Sequence, residues 1–166
     1  MKTSLLVWIQ RAFASMLFLG YIPFISGTIG SAATTALIWW GCCHGPKVLV
    51  TPLGLWAVGL GVTAFSILVA SRPRDVFGSD DPKEVIIDEC AGQLITFLFI
   101  PLSLKTLILG FFLFRFFDIV KPYPIHKFEA LEGSLGITMD DFAAGIFANI
   151  TLIVTLWSYH SVKALL

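Results

Sequence analysis

The chain has 166 residues, of which 57% are hydrophobic and 13% charged, and its formal net charge is zero. That composition is too apolar for an ordinary soluble domain, and the balanced charge provides no basic footprint for nucleic acid, so lipids or ions are the expected partners. Cys42, Cys43 and Cys90 are odd in number and two of them are adjacent, which excludes a disulfide framework.

Residues 5–22 are apolar apart from Gln10 and Arg11. They read as a retained helix lying in a membrane interface, with Arg11 snorkelling towards headgroups, rather than as a cleaved leader. Tyr21-Ile22-Pro23-Phe24 should end it. Ser26-Gly27-Thr28-Ile29-Gly30-Ser31 then reads as a hydroxyl-rich turn before the next apolar run. Its exposed N–H groups would suit an anion, although close helix packing through Gly30 and Ser31 is the favoured reading. Residues 28–43 make a short span and residues 44–47 a turn. Residues 48–70, with no charge among them, make a clear span, so the two spans form a helical hairpin.

Between Ser71 and Glu89 the chain turns polar. Asp81-Pro82-Lys83-Glu84 has the pattern of a helix start, with Asp81 as N-cap and Pro82 at the first position, which puts Asp88 and Glu89 in the second turn. Residues 90–117 would make one helix of about 42 Å, or two arms of about 16 to 18 Å folded back at Pro101. The hairpin is the preferred reading, because Lys105 would be costly in mid-membrane and because the fold-back returns Asp118 towards Asp88.

Arg115, Asp118 and Lys121 recur every third residue, on one helical stripe, before Pro122 and Pro124 end the helix. They read either as a mutually neutralised ladder or as a carboxylate flanked by two phosphate-binding cations. The following loop carries His126, Lys127, Glu129 and Glu132. Thr138 then reads as the N-cap of a last helix, with Asp140 and Asp141 in its first turn.

Asp88, Glu89, Asp118, Asp140 and Asp141 thus gather on one membrane face, each at the polar end of an apolar helix. Oxygen-only ligands of this kind suit Mg2+, and Arg115 and Lys121 would add positive charge for phosphate. Metal-assisted phosphoryl chemistry follows as the natural expectation, with a carboxylate as general base. A headgroup transferase and an ion-coupled transporter are the rivals. The side richer in Lys and Arg, which holds Arg72, Arg74, Lys83, Arg115, Lys121 and Lys127, should be cytoplasmic.

Three blocks, DPKEVIIDECAG, FRFFDIVKPYPI and GITMDDFAAG, with SGTIGS upstream, resemble the phosphatidylglycerophosphatase A family in content and order. The resemblance runs from about residue 20 to 150. It implies a Mg2+-dependent lipid phosphatase of the bacterial inner membrane, an all-α multi-helix membrane bundle, and a site on the cytoplasmic face. Its substrate would be phosphatidylglycerophosphate and its product phosphatidylglycerol. The family's acidic positions fall on Asp81, Asp88, Glu89, Asp118, Asp140 and Asp141, and its basic ones on Arg115 and Lys121. Thr28 and Ser31 are added as phosphate-capping hydroxyls. Departures from the family pattern at Ser26, Ser134 and Thr138 affect loops rather than carboxylates. No cysteine-nucleophile loop is present, since Thr96 stands where an arginine would follow Cys90. The histidines His44, His126 and His160 are not arranged for a phosphohistidine mechanism.

Overall fold

The computed structural model describes residues 5–79 and 82–165, and among them it is helical throughout, with no strand. Eight helices occur in chain order: α1 Leu5–Ala14, α2 Ser26–His44, α3 Pro52–Val69, α4 Pro73–Phe77, α5 Ile87–Thr96, α6 Leu104–Val120, α7 Ile125–Glu129 and α8 Ser134–Leu165. Of these, α3 and α8 are long and apolar enough to cross a membrane.

The expected interfacial helix is shorter than its apolar run. It stops at Ala14 because Met16, Leu17 and Phe18 all take positive φ. Arg11 does not reach outward; its Nε–H donates to the Val76 carbonyl at 2.8 Å and ties α1 to α4. The turn expected at residues 26–31 is instead the opening of α2, where Gly30 packs so closely against Ile86 that a Cβ would have to push it aside by a few tenths of an ångström. The span expected over residues 48–70 begins later. Thr51 caps α3 by accepting the Gly54 N–H at 3.1 Å, and Pro52 takes the first position, where its missing N–H costs nothing.

The helix start expected at Asp81 is also displaced. Asp81 itself lies outside the described residues, and Lys83 and Glu84 form a turn rather than helix. Helix α5 begins at Ile87 because Val85 and Ile86 are buried and the Ile86 N–H donates to the Ala14 carbonyl at 2.9 Å. Burial of two apolar residues outweighs a local cap signal. Asp88 and Glu89 consequently sit in the first turn of α5, not the second.

The fold-back around Pro101 is present. Helix α5 has 10 residues, about 15 Å, and ends at Thr96; an irregular segment then leads to α6. Carbonyls left at the end of a short buried helix need donors, and Asn149 from the middle of α8 supplies them. Its Nδ2 donates to Thr96 O at 2.9 Å and to Leu98 O at 2.8 Å. Ser103 and Thr106 form a reciprocal capping box that restarts the chain as α6. A core of Ile38, Leu55, Leu94, Phe97, Ile100, Leu107 and Leu152 fills the space beneath, drawing on α2, α3, α5, α6 and α8.

The last helix also starts earlier than its Thr138 signal. It opens at Ser134, so Thr138 lies inside it, fully buried, with its hydroxyl paired to Ser66 of α3 at 2.9 Å. A hydroxyl that reads as a cap is here a helix-to-helix bond, and Asp140 and Asp141 stand one turn further into α8.

Candidate active site

Helices α5 and α8 cross at glycines. A Cβ on Gly92 would overlap the Asp141 carbonyl and the Phe114 ring, and one on Gly145 would overlap the backbone of Gly92. Backbones that meet this closely bring the residues one helical turn away into register, and those residues are Asp88 and Glu89 on α5 and Asp141 on α8. The two acidic pairs are built alike: Asp88 Oδ1 accepts the Glu89 N–H at 3.0 Å, and Asp140 Oδ1 accepts the Asp141 N–H at 2.9 Å.

Asp88, Glu89 and Asp141 each offer an oxygen within 4.8 Å of the others. The other two carboxylates are neutralised: Arg115 Nη1 donates to Asp118 Oδ2 at 2.5 Å, and Lys121 Nζ donates to Asp140 Oδ2 at 2.6 Å. No ion pair involves Asp88, Glu89 or Asp141 among the described residues. Two like charges 4 Å apart repel by about 4 kcal/mol at the effective dielectric of a protein surface. Asp88 and Asp141 are buried and Glu89 partly so, and carboxylates at such range suit a bound counter-charge. Glu89 Oε2 is buried with no hydrogen-bond partner, and the Glu89 and Arg115 side chains both press against Gly27 at the start of α2, where a Cβ would displace them. The donor set is oxygen only, which fits a hard divalent cation such as Mg2+.

A cavity of about 290 Å3 opens onto this cluster, lined by all three of these carboxylates, by Asp118, Lys121 and Asp140, and by Glu129, Gly133 and Gly136. The sequence-predicted residues therefore divide. Asp88, Glu89, Asp118, Asp140, Asp141 and Lys121 line the cavity, whereas Arg115 stands behind Asp118 and does not. Thr28 is half-buried and Ser31 fully buried on α2, and neither lines it. The Ser31 hydroxyl donates to Gly27 O at 2.9 Å within its own helix.

Lys121 departs from the expected ladder. It terminates α6 with φ 43, in the left-handed region, so its side chain leaves the Arg115–Asp118 stripe. It turns instead to Asp140 and to Glu129 Oε1 at 3.0 Å. Burial alone would lower the Lys121 pKa, but the hydrogen bonds and charges of Asp140 and Glu129 outweigh it and hold the ammonium above its ordinary value. With the folded pKa raised, the stability this group confers is complete below about pH 10.4 and is lost only as the pH rises further. It stays a cation throughout the neutral range.

Glu129 is the site residue that sequence reasoning missed, having been read only as part of a loop. Pro122 and Pro124 fold the chain back, Ile125 buries against Phe114, Ala143, Ala144 and Ala148, and α7 then delivers Glu129 to Lys121. The available signal was a carboxylate eight residues after a lysine, across a proline turn.

The sequence profile described as Phosphatidylglycerophosphatase A matches residues 12–156, most of the chain. The chain belongs to the phosphatidylglycerophosphatase A family. Among its relatives, a Phosphatidylglycerophosphatase A of Haemophilus influenzae is 36% identical over 143 residues, covering 79% of this chain and 83% of that one. A protein of the same name from Escherichia coli K12 is 30% identical over 131 residues, covering 78% of this chain and 73% of the relative. A Bacteroides thetaiotaomicron protein described as a putative phosphatidylinositol-3-phosphatase is 34% identical over 144 residues, covering 83% and 87%. No solved structure matches the chain. The three sequence blocks that carry the resemblance are the segments that converge on the cavity: the start of α5, the end of α6 and the second turn of α8.

Proposed function

We propose that this chain is a Mg2+-dependent phosphatidylglycerophosphatase, releasing the terminal phosphate of phosphatidylglycerophosphate to leave phosphatidylglycerol. The observation that carries this reading is the trio Asp88, Glu89 and Asp141, mutually close, with Asp88 and Asp141 buried and no ion pair among the described residues, beside Lys121 in one polar cavity. Family membership supports the same chemistry.

In this reading Asp88, Glu89 and Asp141 hold the ion. When bound, Mg2+ polarises the phosphoryl group and lowers the pKa of water beside it. Lys121 binds a phosphoryl oxygen as a fixed positive charge. Arg115 pairs with Asp118 and orients it at the cavity wall, and one of the cavity carboxylates accepts the proton of the attacking water as general base. Asp140 holds Lys121 in place from α8. Thr28 and Ser31 support the α2 end, behind Glu89 and Arg115.

The bilayer setting rests on α3 and α8 and on their apolar outer faces. Leu53, Trp56 and Leu68 are exposed on α3, and Ile150, Val154 and Trp157 on α8. Lipid is the solvent that makes such surfaces favourable. Arg72, Arg74, Lys83, Lys121 and Lys127 fall in the segments at the cavity end, which supports reading that end as the cytoplasmic face of a bacterial inner membrane, with several passes of the chain.

Phosphate release from phosphatidylglycerophosphate by the purified chain in detergent tests the reading. Activity should require Mg2+, vanish with a chelator and return on adding the ion back. Phosphatidylinositol 3-phosphate, offered in parallel, checks the substrate named for the Bacteroides relative. Absence of phosphate release from either lipid by folded, Mg2+-loaded protein would overturn the phosphatase assignment in favour of headgroup transfer or transport.

A further inference from the structure

Among the described residues, four buried side-chain nitrogens and oxygens have no hydrogen-bond partner: Glu89 Oε2, Arg115 Nε and both amide atoms of Gln93. Glu89 and Arg115 meet at Gly27. Gln93 follows Glu89 by four residues on α5, so its side chain shares the Glu89 face of that helix and leans back over the preceding turn. The unpaired groups therefore gather behind Glu89, on the side of α5 that faces α2 and α6.

Gln93 is 0% exposed, and its amide is an exception within its own helix. The polar groups around it are used: the Thr96 hydroxyl donates to Gly92 O at 3.0 Å, and Cys90 Sγ pairs with Thr34 Oγ1 of α2 at 2.9 Å. Ala91, Leu94 and Ile95 bury apolar atoms at the adjoining positions. An apolar residue at position 93 would bury without loss, whereas an amide buried with no partner costs free energy. A packing rule broken beside a site points to a task at that site.

We propose that Gln93 is a positioning residue for Glu89: its amide N–H donates to Glu89 Oε2 and fixes the rotation of a carboxylate that lines the cavity. The inference rests on the reading of Asp88, Glu89 and Asp141 as ligands of a divalent cation. Gln93 does not line the cavity, so it acts through Glu89. The other carboxylates already have fixed donors. Asp88 accepts the Glu89 N–H, Asp140 accepts the Asp141 N–H and Lys121, and Asp118 accepts Arg115. Glu89 has one more torsion than an aspartate, and its Oε2 has no donor. Arg115 Nε belongs to a guanidinium already bonded to Asp118, which leaves the Gln93 amide as the donor free to turn. A neutral donor suits this place, because a second cation beside Glu89 would compete with the ion for its charge, whereas an amide orients the carboxylate and leaves that charge intact.

The test measures binding of Mn2+, an oxygen-seeking stand-in for Mg2+, from the EPR signal of the free ion, with the full chain in detergent. Gln93→Met keeps the length of the side chain and removes the amide. It should weaken Mn2+ binding by about 10-fold, the scale of a lost outer donor to a metal ligand. The metal-free melting temperature should stay at or above the wild-type value, because an unpartnered buried amide has been removed. Gln93→Leu, a second apolar replacement, should behave alike. In a Glu89→Gln background, where no carboxylate is left to orient, Gln93→Met should change Mn2+ binding by less than about twofold. Unchanged Mn2+ affinity in the folded single variants overturns the positioning role, as does a loss of the same size in the Glu89→Gln background. Failure of both apolar variants to fold makes Gln93 a structural residue and overturns it too. If Mn2+ binding follows the prediction but the wild type releases no phosphate, the phosphatase reading alone falls; a wild type that binds no Mn2+ overturns both.

Discussion

At one end of the bundle, Asp88, Glu89, Asp118, Asp140 and Asp141 surround a single cavity, and the helices that carry them approach through bare glycine backbone. At the other end, the α2–α3 and α5–α6 links meet around Lys47, Pro52, Phe99 and Pro101, and residues 44–52, 97–105 and 155–166 contain no acidic residue. The cavity end tolerates buried charge because each carboxylate has a backbone N–H, a cation or a neighbouring ligand atom to justify it. The far end has apolar side chains and three exposed lysines, Lys47, Lys105 and Lys163. The contrast teaches that this chain concentrates its electrostatic cost where three helices can share it, and builds the opposite end from propensity and capping.

Substitutions break that contrast in proportion to how much of the shared cost they disturb. Asp141→Asn should have the largest effect, lowering phosphate release by at least about 100-fold, the scale of a lost acid–base or ligand group. Its melting temperature in detergent should stay near that of the wild type, because one negative charge leaves a crowded cluster. Gly145→Val comes next. It forces side-chain carbons into the Gly92 backbone, and a destabilisation of about 1–3 kcal/mol or more should appear in thermal melts, accompanied by loss of activity as α5 and α8 part. Asn149→Leu removes both donors to Thr96 O and Leu98 O and should cost about 1–3 kcal/mol of stability, read the same way.

The smallest effects should fall away from the cavity. Gly61 on α3 has open space where a Cβ would go, so Gly61→Ala should leave activity unchanged and raise stability by about 0.4–1 kcal/mol. Lys105→Ala should alter neither rate nor stability beyond about 0.5 kcal/mol, as for an isolated surface charge. A large loss of phosphate release in either variant would remove the division between the two ends.

Much of the cavity end was legible in the sequence because carboxylates beside apolar runs are costly and therefore conspicuous, and Pro101 with Lys105 marked the fold-back. What was not legible depends on partners distant in the chain. Asp81-Pro82 has every local mark of a helix start, yet α5 opens at Ile87, where Val85 and Ile86 are buried and the Ile86 N–H finds Ala14. Thr138 has the mark of a cap, yet its hydroxyl bonds Ser66 on another helix. The spacing of Arg115, Asp118 and Lys121 promised one stripe, but a left-handed residue at the helix end redirects Lys121 to Asp140 and Glu129. Local patterns locate the charged groups, and tertiary burial decides which of them meet.

The bonds from Asn149 to the end of α5 also impose an order of assembly. Helix α5 leaves the ribosome some fifty residues before Asn149 does, so for several seconds of synthesis at about 5–20 residues per second it lacks the donor that closes its last turn. Until α8 arrives, the α5 carbonyls must stay near water or other donors, and Asp88 and Glu89 have no Asp141 to face. The same late helix therefore seats the short helix and completes the acidic cluster. A chain truncated before Asn149 should therefore be unfinished in fold, and not merely inactive.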